Sequence, residues 1–75
     1  MDEDYKKNMD EVIEGMEWHV WISRLRIGKI MYGDRKGTYT AEPMDPRRNG
    51  LVYWDKMKDF DTLEEAYNYL VEIRK

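Results

Sequence analysis

The sequence predicts an α+β domain of two layers, ordered α-β-β-β(-β)-α, in which a small antiparallel sheet carries two helices on one face. Three observations lead there. Apolar residues recur at helical spacing near both ends, the middle switches to period-two alternation, and charge divides at the same boundaries. Residues 1–17 carry seven acids and two bases, residues 18–58 nine bases and four acids, and residues 59–75 five acids and two bases. The pattern gives one domain over 1–75, with a helix at about 3–15, a sheet at about 17–55 and a helix at about 62–74.

In the first block Tyr5, Met9, Val12, Ile13 and Met16 make one apolar stripe. Asp2, Glu3 and Asp4 suit the positive end of a helix dipole, and Gly15 suits the left-handed residue that ends a helix. In the second block Trp18, Val20 and Ile22 alternate with His19, Trp21 and Ser23, as on a half-buried strand. The phase then slips, so a bulge or turn is expected between Ser23 and Gly28. Lys29–Tyr32 reads as a second strand, and 34–37 as a hairpin loop with Gly37 at positive φ. A third strand covers 38–42 and ends at Pro43, the turn-rich stretch 44–50 is a loop, and 51–54 is a short last strand. The C-terminal helix has Thr62 as N-cap with Glu65 three residues on, a capping box, and Asp61 with Glu64 offers the alternative register. Leu63, Ala66, Tyr67, Leu70 and Ile73 form its buried stripe. The expected core joins Trp18, Val20, Ile22, Leu63, Ala66, Leu70 and Ile73.

Composition removes several kinds of chemistry. The 75-residue chain has no cysteine, which excludes disulfides, thiolate metal sites and thiol nucleophiles. This usage, with no signal-peptide pattern, places it in a reducing, cytoplasmic compartment, the host cytoplasm for a viral protein. No uncharged run exceeds six residues, so no membrane span is expected. Ser23 and His19 are the single serine and histidine, and on one strand they stand roughly 13 Å apart, too far for nucleophile and base. The carboxylates read as caps and solvated faces, and the glycines as turn residues. The chain reads as non-enzymatic, without cofactor or metal.

Two surfaces remain as candidates. Asp10, Glu11 and Glu14 form an acidic face on the first helix, suited to a basic protein partner. The basic block interleaves Arg24, Arg26, Lys29, Arg35, Lys36, Arg47 and Arg48 with aromatics, including Trp21 and Tyr32. Cations that neutralise phosphates and rings that stack bases are what a nucleic-acid-binding sheet needs.

Residues 39–70 also carry a family likeness. Ala41, Glu42, Asp45, Pro46, Gly50 and Trp54, followed by Phe60, Thr62, Glu64, Glu65 and Ala66, resemble the second half of the plant ethylene-response-factor DNA-binding domain and its integrase-arm relatives. The resemblance implies a three-stranded antiparallel sheet on the C-terminal helix, and hints at DNA. Lys29 takes one of that family's cationic positions, whereas Tyr32, Asp34 and Met44 stand where arginines are expected. Two extra residues separate Trp54 from Phe60, and the acidic first helix has no counterpart there.

The leading expectation is a small acidic protein acting by protein–protein contact, of the type viruses and mobile elements use to inhibit host or defence proteins that handle nucleic acid. A sheet-face binder of DNA or RNA is the alternative, and a homodimerising structural module the third.

Overall fold

The computed structural model describes residues 4–33 and 37–73, and over them the chain forms six strands and one helix. The strands are β1 (Met9–Ile13), β2 (Glu17–Ile22), β3 (Leu25–Gly33), β4 (Thr38–Asp45), β5 (Leu51–Val52) and β6 (Lys58–Phe60), and the helix is α1 (Leu63–Ile73). Strands β1 to β4 lie side by side in chain order, all antiparallel. The far edge of β4 is shared, with β6 pairing its first half and β5 its last two residues.

Helix α1 lies across one face of this sheet. Trp18, Val20, Ile27, Ile30 and Ala41 from the strands meet Ala66, Tyr67 and Leu70 from the helix in a single core. The N-cap bond expected of Thr62 is in place, with the Glu65 N–H donating to Thr62 Oγ1 at 3.2 Å, and the Thr62 hydroxyl in turn donates to Glu65 Oε1. Of the residues expected in the core, Ile22 and Leu63 pack at its margin, and Ile73 is half-buried at a cleft beyond it.

The expected first helix is absent: the sheet carries one helix, not two. Residues Asp4–Asn8 form a 3-10 turn, and the chain then enters the sheet as β1. Met9 pairs with Val20 and Glu11 with Trp18, so strand neighbours satisfy backbone groups that a short isolated helix would hold only weakly. Gly15 does take positive φ (+70°), but in the tight β1–β2 turn, where the Met16 N–H donates to the Ile13 carbonyl at 2.9 Å. The 3-10 turn occupies the helix layer instead. Tyr5 packs on Tyr67 with ring centroids 5.5 Å apart, and Asn8 Nδ2 donates to the Tyr67 hydroxyl at 2.8 Å.

The phase slip has two sources. Ser23 and Arg24 both take positive φ (51° and 68°) in a two-residue turn between Ile22 and Leu25. A bulge follows, because Val20 faces Gly28 while Trp21 faces Arg26, which turns the extra residue, Ile27, into the core.

Three further boundaries differ from expectation. Strand β4 runs through Pro43 to Asp45, since Pro43 lies opposite Gly28 and its carbonyl accepts from the Tyr53 N–H at 3.0 Å. The last expected strand stops at Val52, and Trp54 begins a 3-10 turn. Strand β6 lies beyond the expected end of the sheet at about 55; it forms because Tyr39, Thr40 and Ala41 have an open backbone edge for Phe60, Asp59 and Lys58 to pair with.

Candidate functional site

The acids assigned to a helical face stand elsewhere. Asp10 and Glu11 are successive residues of β1 and project to opposite sides of the sheet, while Glu14 lies in the turn that follows. All three are exposed. Glu11 is also structural, because its Oε2 accepts the Gly15 N–H at 2.6 Å and closes that turn. What unites them is the sheet edge. Strand β1 pairs with β2 on one side, and among the described residues no strand pairs with its other side.

Apolar side chains frame this edge. Val12, Ile13 and Met16 are 47%, 52% and 49% exposed. Val12 falls at the register shift between Glu11 and Ile13, so the edge is bulged as well as charged. Bulges and charges are how edge strands resist unwanted pairing. Sequence reading placed Val12, Ile13 and Met16 in a buried stripe; the Glu-Gly turn after two β-branched residues was the signal for a hairpin.

The basic residues split into three groups. Trp21 and Arg26 are cross-strand partners on the face away from α1, with Arg24 in the connecting turn. Trp21 is 38% exposed, and Arg26 Nε is buried with no hydrogen-bond partner among the described residues. Lys29 also faces away from α1, but its Nζ lies 3.6 Å from Oε1 of Glu42, a carboxylate buried in β4. Tyr32 faces the helix side and stacks on Tyr39 with centroids 5.0 Å apart, so it offers no ring to a ligand on the open face. Arg35 and Lys36 lie outside the described residues. Arg47 and Arg48 are exposed on the 3-10 turn Pro46–Arg48, which packs beside β3. The structure thus brings together Trp21, Arg24 and Arg26, engages Lys29 of the same face with Glu42, and turns Tyr32 to the other face.

Around that turn, sequence reading gave 44–50 as a loop but assigned no role there to Asp45 or Tyr53. Asp45 caps it, with Oδ1 accepting the Arg47 N–H at 2.9 Å and Oδ2 accepting the Tyr53 hydroxyl at 3.0 Å. Arg48 Nε is 3.6 Å from the same carboxylate. The Arg47 N–H, then the Tyr53 hydroxyl, hold Asp45 below the ordinary aspartate range, and the same contact raises Tyr53 above the usual phenol value. The Asp-Pro-x-x-Asn-Gly order carried the signal, because aspartate before proline favours such a capped turn.

The single histidine and the single serine stand on different elements. His19 Nε2 contacts Glu17 Oε2 at 3.1 Å on the open sheet face, while Ser23 sits in the hairpin turn. Among the described residues no three His, Asp or Glu side chains gather as a metal site would need, and no helix is long and apolar enough to cross a membrane. No protein-family model matches the chain, and no curated protein or solved structure matches it either.

Proposed function

We propose that this protein is a non-enzymatic binding module that takes an extended segment of a partner protein onto the β1 edge. The observation that carries this reading is the open side of β1, framed by half-exposed Val12, Ile13 and Met16. Unpaired N–H and C=O groups on a sheet edge supply main-chain hydrogen bonds, and flanking side chains supply selectivity. Asp10, Glu11 and Glu14 set the partner's character, which is a strand carrying lysine or arginine beside aliphatic residues. Proteins that handle nucleic acid present such basic segments, so the acidic edge would compete with phosphate for them.

The test is a pair of synthetic peptides, one alternating lysine with valine and the other alternating glutamate with valine. The basic peptide should slow amide exchange at residues 9–13, and Val12→Lys with Ile13→Lys should abolish that protection without unfolding the domain. Equal binding of both peptides, or protection elsewhere, defeats the reading.

A second reading rests on the Trp21–Arg26 pair with Arg24 between them, a ring and two cations on one hairpin arm. Nucleic acid bound there would lose affinity steeply with salt, and Arg24→Gln with Arg26→Gln would flatten that dependence. Fluorescence anisotropy with single- and double-stranded oligonucleotides reads it directly. Absence of binding at low salt removes it.

A further inference from the structure

A cleft of about 460 Å³ opens at the end of the sheet remote from the β1–β2 turn. Its apolar lining includes Ile22, Leu25 and Ile27 from the β2–β3 arm and Leu70 and Ile73 from α1, with Pro43 and Met44 on the β4 side. Arg47, Lys56 and Tyr53 are among its polar lining residues. The volume falls within the roughly 300–1,000 Å³ of small-molecule sites, which join an apolar body to a few placed polar groups. Leu25 is 43% exposed, so the apolar surface meets solvent at the cleft.

The charges define what would enter. Among the described residues Asp45 is the one carboxylate of the lining, and the Arg47 N–H, the Tyr53 hydroxyl and Arg48 Nε already surround it. Lys56 Nζ is held 5.9 Å from the centroid of the Tyr53 ring. Among the described residues neither the Arg47 guanidinium nor the Lys56 ammonium has a carboxylate within ion-pair distance. The cleft therefore couples an aliphatic surface to two cations that make no direct ion pair, although Arg47 lies close enough to Asp45 to act on its charge. A cationic guest would be repelled, and a bare phosphate would leave the aliphatic surface wet.

We infer that this cleft binds a small amphipathic carboxylate, its apolar chain on the surface made by Ile22, Leu25 and Ile73 and its carboxylate at Arg47 and Lys56. The site lies apart from the β1 edge and stands or falls independently of the partner-binding reading. Arginine at the rim provides a planar pair of donors for a carboxylate, and Lys56 adds a second charge.

Titration of the full chain with octanoate, followed by amide chemical shifts, tests the inference, with octanol and acetate as comparators. Octanoate should give saturable shifts at Leu25, Met44, Arg47, Tyr53 and Lys56. Octanol should bind more weakly, and acetate should leave the spectrum unchanged. Arg47→Gln with Lys56→Gln should weaken octanoate about ten-fold, the loss expected for charge-assisted hydrogen bonds, and leave octanol unaffected. Leu25→Asp should abolish binding of both, with circular dichroism confirming the fold. The charge variant alters only rim side chains and keeps the test valid if Leu25→Asp unfolds. Equal affinity for octanoate and octanol, shifts outside the cleft, or no saturable shift overturns the inference.

Discussion

Leu70 rests directly on the backbone of Gly28. A Cβ at that glycine would stand 3.0 and 3.2 Å from the two Leu70 methyl carbons and 2.6 Å from the Glu42 carbonyl oxygen. Both contacts arise inside the sheet, where α1 crosses β3 beside β4, and not in a turn. Gly28→Ala should therefore destabilise the domain by about 1–3 kcal/mol through overpacking. Leu70→Ala should cost about 2–5 kcal/mol, a large share of the stability of so small a domain. The double variant should recover part of the Gly28 penalty, because the methyl clash goes while the Glu42 carbonyl remains. Urea melts of the four proteins give the coupling, and strict additivity would place α1 farther from β3.

Lys29 is bound to the fold by Glu42. Removing the ammonium with Lys29→Met leaves a buried carboxylate without its cation and should cost about 1–3 kcal/mol. Replacing both residues by methionine should restore much of that loss, since two apolar side chains avoid the desolvation of the pair. Thermal melts of the single and double variants decide this. A harmless Lys29→Met would show that the 3.6 Å contact contributes nothing.

What could be read from the chain was what local spacing determines. Thr62 and Glu65 announce α1, and alternation at Trp18 and Val20 announces β2, because capping and pleat act over a few residues. Tyr5, Met9, Val12, Ile13 and Met16 fit a helical period equally well, yet the pairing of Met9 with Val20 lies outside any local window. The same holds for the candidate site. Basic and aromatic residues are visible in composition, but register alone decides that Lys29 meets Glu42 and that Tyr32 turns toward the helix layer. Strand β6 has no alternation of its own and exists because β4 offers it an edge.

The hairpin turn at Ser23 and Arg24 can be improved. Both residues hold positive φ, a region that L side chains enter at a penalty and that Asn-Gly enters readily. Ser23→Asn with Arg24→Gly should stabilise the domain by about 0.5–1 kcal/mol, the relief of strain exceeding glycine's entropy cost. The same variant removes a cation from the Trp21–Arg26 arm, so weaker oligonucleotide binding by a more stable protein would separate function from fold. Denaturant midpoints and anisotropy on one preparation provide both readings.

Asp45 should make the 45–53 segment sensitive to acid. Its carboxyl titrates below the ordinary aspartate value of 3.8, chiefly through the Arg47 N–H and then the Tyr53 hydroxyl. A depressed folded value means that the stabilisation is present above 3.8 and is lost as pH falls through the lower value in the fold. Asp45→Asn should flatten the acid limb of the stability profile. It should also bring Tyr53, now raised above 10.0, back toward that value. Tyrosinate absorbance across the alkaline range checks the second effect, and an unchanged Tyr53 titration would mean that the 3.0 Å hydrogen bond is not formed in solution.

The acids of β1 should also keep the chain from pairing with itself. In a symmetric antiparallel pairing centred on Glu11, the two Glu11 carboxylates face each other, while Asp10 meets Val12 and Met9 meets Ile13. Like charges directly opposite on neighbouring strands are destabilising, so this arrangement penalises a second copy and spares a basic strand. Asp10→Asn with Glu11→Gln removes the repulsion and leaves Val12, Ile13 and Met16 exposed on an open edge. Glutamine at 11 can still accept the Gly15 N–H, so the turn should persist. Light scattering should show the natural chain as a monomer and the neutralised variant shifting toward dimers or larger species as concentration rises. High salt should move the natural chain in the same direction, because screening weakens what the substitutions delete. A variant that stays monomeric would mean that the bulge at Val12, rather than the charge, closes this edge to a second copy.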